Sequence, residues 1–272
     1  MNNTASKELF RRIIGCGLIN CQQCHEIYNS QGCADIRDFQ VPEPWSGDIE
    51  NAPILFVGIN PGFTPGELYP KLNSPNPNNP SWIDPQSFGL FDLDKVEDFF
   101  ENRFNHKHTH LNPYVKIQNK KGKLSFSVRM NDGSYKNVRG YWNYIQSISD
   151  IISDLLLNNN SQKTMPGKDY ALTELVHCKS LSIDYITTDC YKKCANSFFN
   201  DILNVATNLR YLIVIGAKPR KYVSKLLNHG TPKEYDWRIT KNVKVLYAPH
   251  NASGGSLEEI QRIIEELKQA AE

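Results

Sequence analysis

The chain has 272 residues, 40% of them hydrophobic and 22% charged, with a formal net charge of +2. These are the proportions of a soluble globule long enough to bury a sizeable core, and no apolar run approaches the ~20 residues of a membrane span. A balance so near neutrality announces no polyanion partner by itself, so a nucleic-acid reading must rest on local clusters. Met1-Asn2-Asn3-Thr4 lacks the basic and then apolar pattern of a secretory signal, which points to a cytoplasmic protein. Seven cysteines in a reducing compartment are then metal ligands or buried thiols rather than disulfides.

In chain order, Leu9, Phe10, Ile13 and Ile14 at helical spacing predict a helix from Ser6 to Gly15. Cysteines 16, 21, 24 and 33 follow in a polar segment leading to Pro42 and Pro44, a loop composition. The unalternating apolar run from Ile54 to Val57 suits a strand covered on both faces, and Gly58-Ile59-Asn60-Pro61-Gly62 then forces a tight turn at its carboxyl end. The proline-rich stretch Asn73 to Pro80 is a surface excursion. His106-x-His108-x-His110 reads as solvated loop, because no carboxylate stands at matching spacing for a metal. Turn signals at Asn119-Lys120-Lys121-Gly122 and Asn131-Asp132-Gly133-Ser134 divide residues 114–139 into a small antiparallel meander.

The second half alternates. A helix carrying Trp142, Ile145, Ile148, Ile151, Ile152 and Leu155 on one face precedes a strand from Ala171 to His177. Helical residues Tyr191 to Thr207 lead to the strand Tyr211 to Ile215, which ends at Gly216. A further strand, Val243 to Tyr247, runs into the glycine-rich loop Ala248 to Gly255. Ser256-Leu257-Glu258-Glu259 then makes a capping box for the last helix, so this loop sits at a helix amino terminus, a ready anion site. Strand and helix in alternation imply parallel crossovers. The expected fold is a three-layer α/β/α sandwich around a parallel sheet of about four strands. One domain spans 1–272, with a cysteine-bearing segment at 1–45 and an insertion at 68–140.

Cys21-x-x-Cys24, Cys178 at a strand end and Cys194 in the next helix make a plausible four-thiolate set, of a spacing that fits zinc or an iron-sulfur cluster. Cys190 lies one helical turn from Cys194 and is an alternative ligand. Cys16-x4-Cys21-x2-Cys24 also has plant-type ferredoxin spacing, although its fourth ligand would come from an unusual distance.

Gly58-Ile59-Asn60-Pro61-Gly62 and His250-x-x-Ser253 resemble the two active-site motifs of the uracil-DNA glycosylase superfamily. The resemblance covers the two ends and the final two-fifths of the chain, and leaves roughly 68–140 unmatched. It implies a monofunctional glycosylase that hydrolyses the bond between a flipped base and deoxyribose, leaving an abasic site. Asn60 would hold the attacking water through its side-chain carbonyl, and His250 would donate to the carbonyl oxygen of the departing base. Gly58, Ile59, Pro61 and Gly62 would shape the base pocket, and Ser253, Gly254 and Gly255 would grip a phosphate. In the family's iron-sulfur branch one cysteine pair precedes the first motif and a second pair, about fifteen residues apart, brackets a loop after a central strand. Cys21, Cys24, Cys178 and Cys194 match that pattern, which implies a structural [4Fe-4S] cluster, with zinc the alternative. Gly254-Gly255 depart from the family's bulky duplex wedge. Leu257 or the insertion substitutes for it, or the preferred DNA is single-stranded or already distorted.

Leu172 to Cys178 resembles the family's base-reading strand, with Glu174 where the iron-sulfur branch has asparagine. A carboxylate only accepts hydrogen bonds, so it suits the exocyclic amine of cytosine and opposes O4 of uracil, at about 1 to 3 kcal/mol per polar pair. Unmodified cytosine is excluded as a target, since its removal would destroy the host genome. Tyr69, Trp82, Phe88 and Phe91, with the basic meander at Lys116, Lys120, Lys121 and Lys123, are expected to wall a pocket for a bulky substituent. Here the chain resembles anti-phage members of the superfamily that excise glucosylated hydroxymethylcytosine. Lys218, Arg220 and Lys221, after Gly216, are expected to contact DNA phosphates, in a monomer that binds DNA and no membrane.

Overall fold

The computed structural model describes residues 4–18, 25–32, 40–70, 93–104, 114–118, 124–137, 140–156, 163–250 and 256–271. Its elements run α1 (Thr4–Leu18), α2 (His25–Ser30), β1 (Ile54–Gly58), α3 (Leu93–Glu101), β2 (Tyr114–Gln118), β3 (Leu124–Arg129) and β4 (Tyr135–Asn137). They continue with α4 (Tyr141–Leu156), β5 (Tyr170–Glu174), α5 (Thr188–Cys194), a π-helical turn at Ala195–Phe199, and α6 (Asn200–Val205). The last are β6 (Tyr211–Ile215), α7 (Ala217–Leu226), β7 (Trp237–Thr240), β8 (Val243–Ala248) and α8 (Leu257–Ala271). Among the described residues no helix is long and apolar enough to cross a membrane.

The main sheet has the order β5-β1-β6-β8-β7. Its first four strands are parallel, as the alternation of elements requires, and β7 is an added antiparallel edge. That edge escapes a reading by apolar runs because its burial is shallow throughout. Its signal is the turn: Lys241 and Asn242, both at positive φ, form the two-residue loop between Thr240 and Val243. Strands β2, β3 and β4 form the expected separate antiparallel meander.

Each parallel strand is buried on both faces, and alternate residues enter different cores. Leu55 and Val57 of β1 and Leu212 and Val214 of β6 face a cluster with Leu9, Phe10, Ile13 and Ile14 of α1, Phe99 and Phe100 of α3, and Val223 of α7. Ile54 and Phe56, with Tyr211, Ile213 and Ile215, face Trp142, Ile145, Ile148 and Ile152 of α4, Ile260 and Ile264 of α8, and Phe126 and Val128 of β3. Two apolar faces on one sheet make three layers.

Two local expectations change. The strand beginning near Ala171 ends at Glu174 rather than His177, because beyond it the chain follows the turning Asn60 loop: Leu175 N donates to Gly58 O at 3.2 Å and Val176 N to Ile59 O at 3.0 Å. At α8, Ser256 Oγ accepts from Glu259 N at 3.2 Å, but the reciprocal half of the capping box is absent. Tyr235 Oη takes the Ser256 amide at 3.1 Å, and the Glu259 carboxylate turns to Arg262.

The free edge of β5 is covered by residues 43–46. Ser46 and Leu172 exchange backbone bonds of 2.8 and 3.0 Å, Glu43 N donates to His177 O at 2.8 Å, and Thr173 Oγ1 donates to Pro44 O at 2.8 Å. Pro42 and Pro44 hold this strap extended, which delivers Glu43 to the carboxyl end of the sheet. Phe56, fully buried between β1 and the α4 layer and edge-on to Tyr170, tests the layered core. Phe56→Ala is expected to lower unfolding free energy by about 3 to 5 kcal/mol, read from urea denaturation.

Candidate active-site cleft

The carboxyl ends of β5, β1, β6 and β8 open on a cavity of about 240 Å³, lined by Gly58, Asn60, Glu174, Glu43, Tyr141 and His250 among others. That is where open α/β sheets bind ligands. Gly58, Ile59, Pro61 and Gly62 all line it, as the sequence reading expects of them.

Asn60 is held by the nitrogen end of its amide. Its Nδ2 donates to Pro61 O at 3.0 Å and to Ser180 Oγ at 2.7 Å, and Ser180 Oγ in turn donates to Ser182 O at 2.8 Å. Because the single hydroxyl hydrogen of Ser180 goes to Ser182, its oxygen faces Asn60 as an acceptor, which fixes the amide orientation. Both amide hydrogens are thus committed, and the carbonyl end is the acceptor that remains. The loop itself is rigid, since Phe63 N donates to Ser180 O at 2.8 Å and Ser180 N to Pro61 O at 3.2 Å. Ser180, six residues past β5, carries no motif and escapes a sequence reading.

His250 leaves β8 on the opposite side. Its ring stacks on Tyr141, with centroids 5.3 Å apart and planes at 17°. Tyr144 Oη donates to Pro249 O at 3.1 Å, which anchors the preceding residue. A Cβ placed on Gly216 would stand 3.7 Å from His250 Cβ, so the exit of β6 packs closely beneath it. Burial pushes the His250 pKa below its ordinary value, which leaves a neutral imidazole with one N–H to donate. Tyr141, the aromatic that fixes the ring, is legible in sequence only as the residue before Trp142.

Glu174 ends β5 directly opposite Gly58 in the parallel register. Its side chain lies across the glycine: a Cβ on Gly58 would come within 2.1 Å of Glu174 Oε2. Glu174 is 5% exposed, and Oε2 is buried with no hydrogen-bond partner. Burial, reinforced by Glu43 and only partly offset by Arg103, pushes its pKa well above the carboxylate range. Burial with no partner for Oε2 thus favours the protonated acid at Glu174 over the carboxylate expected from sequence. The inference drawn from that charge changes with it, since a neutral acid both donates and accepts and meets the pairing edge of cytosine or of uracil.

Behind the cleft lies a buried polar cluster. Arg103, fully buried, pairs with Glu43, stands 3.8 Å from Glu67 and donates to Ser46 Oγ at 2.8 Å. Lys179 Nζ pairs with Glu67 at 2.9 Å and sits 3.8 Å from the Tyr69 ring centroid. Burial raises the Glu43 carboxyl, but Arg103 and Lys179 outweigh it and hold the group below its ordinary value. Tyr69 belongs to this cluster, edge-on to Phe99 and Phe100, and does not line the cleft as expected of it; Val128 of the meander does. Trp82, Phe88, Phe91, Lys120, Lys121 and Lys123 lie outside the described residues, as do Ser253, Gly254 and Gly255.

Lys218 and Lys221 are exposed at the start of α7, and Arg220 pairs with Glu234 at 3.2 Å. Lys218 Nζ lies 5.8 Å from the Tyr191 ring centroid, whereas Arg220 and Lys221 line a second depression of about 710 Å³ with Lys225 and Asn228. The three basic residues thus face two places rather than one. Cys178, Cys190 and Cys194 are buried in one apolar cluster with Cys16 packed against it. Thr187 Oγ1 lies 3.2 Å from Cys190 Sγ. Cys21 and Cys24 lie outside the described residues, and among the described residues no three metal-ligating groups come together.

No family model matches the chain, and no curated protein matches it.

Gly58→Ala is expected to displace the Glu174 carboxyl, the movable end of a flexible side chain, while β1 retains its pairing. Melting temperature should change by a few degrees at most, and binding of any cleft ligand should weaken about tenfold or more, as expected when a buried polar contact worth 1 to 3 kcal/mol is lost. Circular dichroism with a binding titration measures both.

Proposed function

We propose that the protein is a monofunctional DNA glycosylase that flips a modified pyrimidine into the cleft and hydrolyses its bond to deoxyribose. The observation that carries this reading is the convergence, at one sheet end, of the oriented side-chain amide of Asn60, a half-buried imidazole on His250 and a buried carboxyl on Glu174. A cavity of about 240 Å³ falls below the roughly 300 to 1,000 Å³ of drug-sized sites and suits a single base, so a substituent as large as glucose would project out of the cleft. Base loss develops positive charge on the sugar and negative charge on the base. Asn60 would place the water behind C1′ and His250 would donate to O2 of the base, each acting on charge that develops only in the transition state.

The preferred target is a cytosine carrying a substituent, such as glucosylated hydroxymethylcytosine. Its exocyclic amine and N3 match the acceptor and donor of a neutral Glu174, and its modification distinguishes it from host DNA. Uracil is the second reading, favoured by the same neutrality of Glu174. Lys218, Arg220, Lys221 and the loop at Ser253, Gly254 and Gly255 supply phosphate contacts in this proposal, and Phe88 is a substrate-binding residue. Cys21, Cys24, Cys178 and Cys194 hold a [4Fe-4S] cluster whose contribution is structural, tying the amino-terminal segment to the core.

Purified protein incubated with oligonucleotides carrying uracil, hydroxymethylcytosine or glucosylated hydroxymethylcytosine, in single and double strands, should yield alkali-labile sites from the modified cytosines. Asn60→Ala and His250→Ala should each slow release about a hundredfold or more while DNA binding survives. Release of uracil alone would select the second reading, and DNA binding with no base released would leave a non-catalytic binding module.

The cluster gives its own readout. The protein should be brown, with visible charge-transfer absorbance that is lost, together with thermal stability, when any of the four cysteines is replaced by serine. Colourless protein with stoichiometric zinc would replace the cluster and keep the four ligands.

A further inference from the structure

The polar cluster behind the cleft contains two carboxyl groups, Glu43 and Glu67, and two cations, Arg103 and Lys179. Their formal charges cancel without Glu174. An ionised Glu174 would add a third buried carboxylate to two cations already engaged, with Oε2 lacking any partner. Tyr141 and Tyr191 are further titratable groups that face it, phenols whose pKa values burial raises. The arrangement favours the protonated form of Glu174 over an unpaired buried carboxylate.

Resting on the reading of the cleft as a glycosylase site for a cytosine-type base, we infer that Glu174 is a catalytic acid, which passes its proton to N3 of the flipped base as the glycosidic bond breaks. A carboxylic acid presents a donor and an acceptor side by side, matching N3 and the exocyclic amine of cytosine. The Oε–H bond breaks and the N3–H bond forms. The C1′–N1 bond then breaks with its electron pair retained by the ring, which departs as a neutral tautomer rather than an anion. The water held by Asn60 forms the new C1′–O bond and releases its proton to solvent, from which Glu174 is reprotonated. Uracil already carries a hydrogen on N3, so for it the same group can donate to O4 and accept from N3–H but finds no ring nitrogen to protonate. The acid therefore matters most for cytosine-type bases, and this separates the two substrate classes by chemistry where pairing alone does not.

Glu174→Gln separates recognition from proton transfer, because the amide offers a donor and an acceptor in the same place but has no acidic proton. Affinity for hydroxymethylcytosine DNA is expected to stay within about threefold, while single-turnover release falls about a hundredfold or more, the usual scale of a lost general acid. The wild-type rate should decline as pH rises through the pKa of Glu174, and the variant should lack that decline. Folding supplies a second measurement. The folded wild type binds a proton that the unfolded chain loses near pH ~4, so its stability should fall relative to Glu174→Gln as pH rises above that range. Wild-type rates in the variant, an unchanged alkaline limb, or a melting difference flat with pH would overturn the acid role and leave the glycosylase reading standing. A wild type that releases no base from uracil, hydroxymethylcytosine or glucosylated hydroxymethylcytosine DNA would overturn both.

Discussion

The contact between the Glu174 carboxyl and the backbone of Gly58 governs the cleft. The two residues are partners on neighbouring parallel strands, where adjacent Cα atoms are only about 4.8 Å apart. A side chain at position 58 would fill the space the carboxyl occupies, so one strand gives up its side chain for the other to lay a polar group across the sheet end. The same contact removes Glu174 from water, and burial then decides its protonation. A glycine at the end of an apolar strand thus has an electrostatic consequence as well as a conformational one.

Such a carboxyl stays buried only if the remaining charges nearby are compensated. The strap at 43–46 supplies Glu43 and Ser46, the segment after α3 supplies Arg103, the run after β5 supplies Lys179, and Glu67 joins them from the loop after β1. These segments are distant in sequence and meet where the sheet ends. Removing one member would strand a buried charge, a loss of about 3 to 5 kcal/mol, whereas the intact set is close to neutral in net effect. The cluster is better understood as fixing the electrostatic setting of the cleft than as a source of stability.

Around this base the other two groups of the cleft are oriented by neighbours rather than by their own loops. Ser180 sets the Asn60 amide, and Tyr141 with Gly216 confines the His250 ring. The orienting residues come from the segment after β5, the start of α4 and the exit of β6. Pre-alignment of this kind leaves little ordering entropy to be lost when a ligand enters.

The sequence by itself determined the architecture and the candidate positions. Unalternating apolar strands and intervening amphipathic helices specify a covered parallel sheet, because only that arrangement buries both faces, and Asn60, His250 and Glu174 stand out as polar residues at strand ends. The edge strand β7 stayed hidden because its pattern is local and shallowly buried. Tertiary structure alone decided the protonation of Glu174, since desolvation depends on segments as remote as Glu43 and Arg103 and not on neighbours along the chain. It also decided that Tyr69 stands behind the cleft rather than within it, and that Lys218 turns to the Tyr191 ring while Arg220 and Lys221 line the second depression. Composition and spacing fix which faces are buried. The sign of a charge in a buried site is fixed by what surrounds it, and that is known only once the chain has folded.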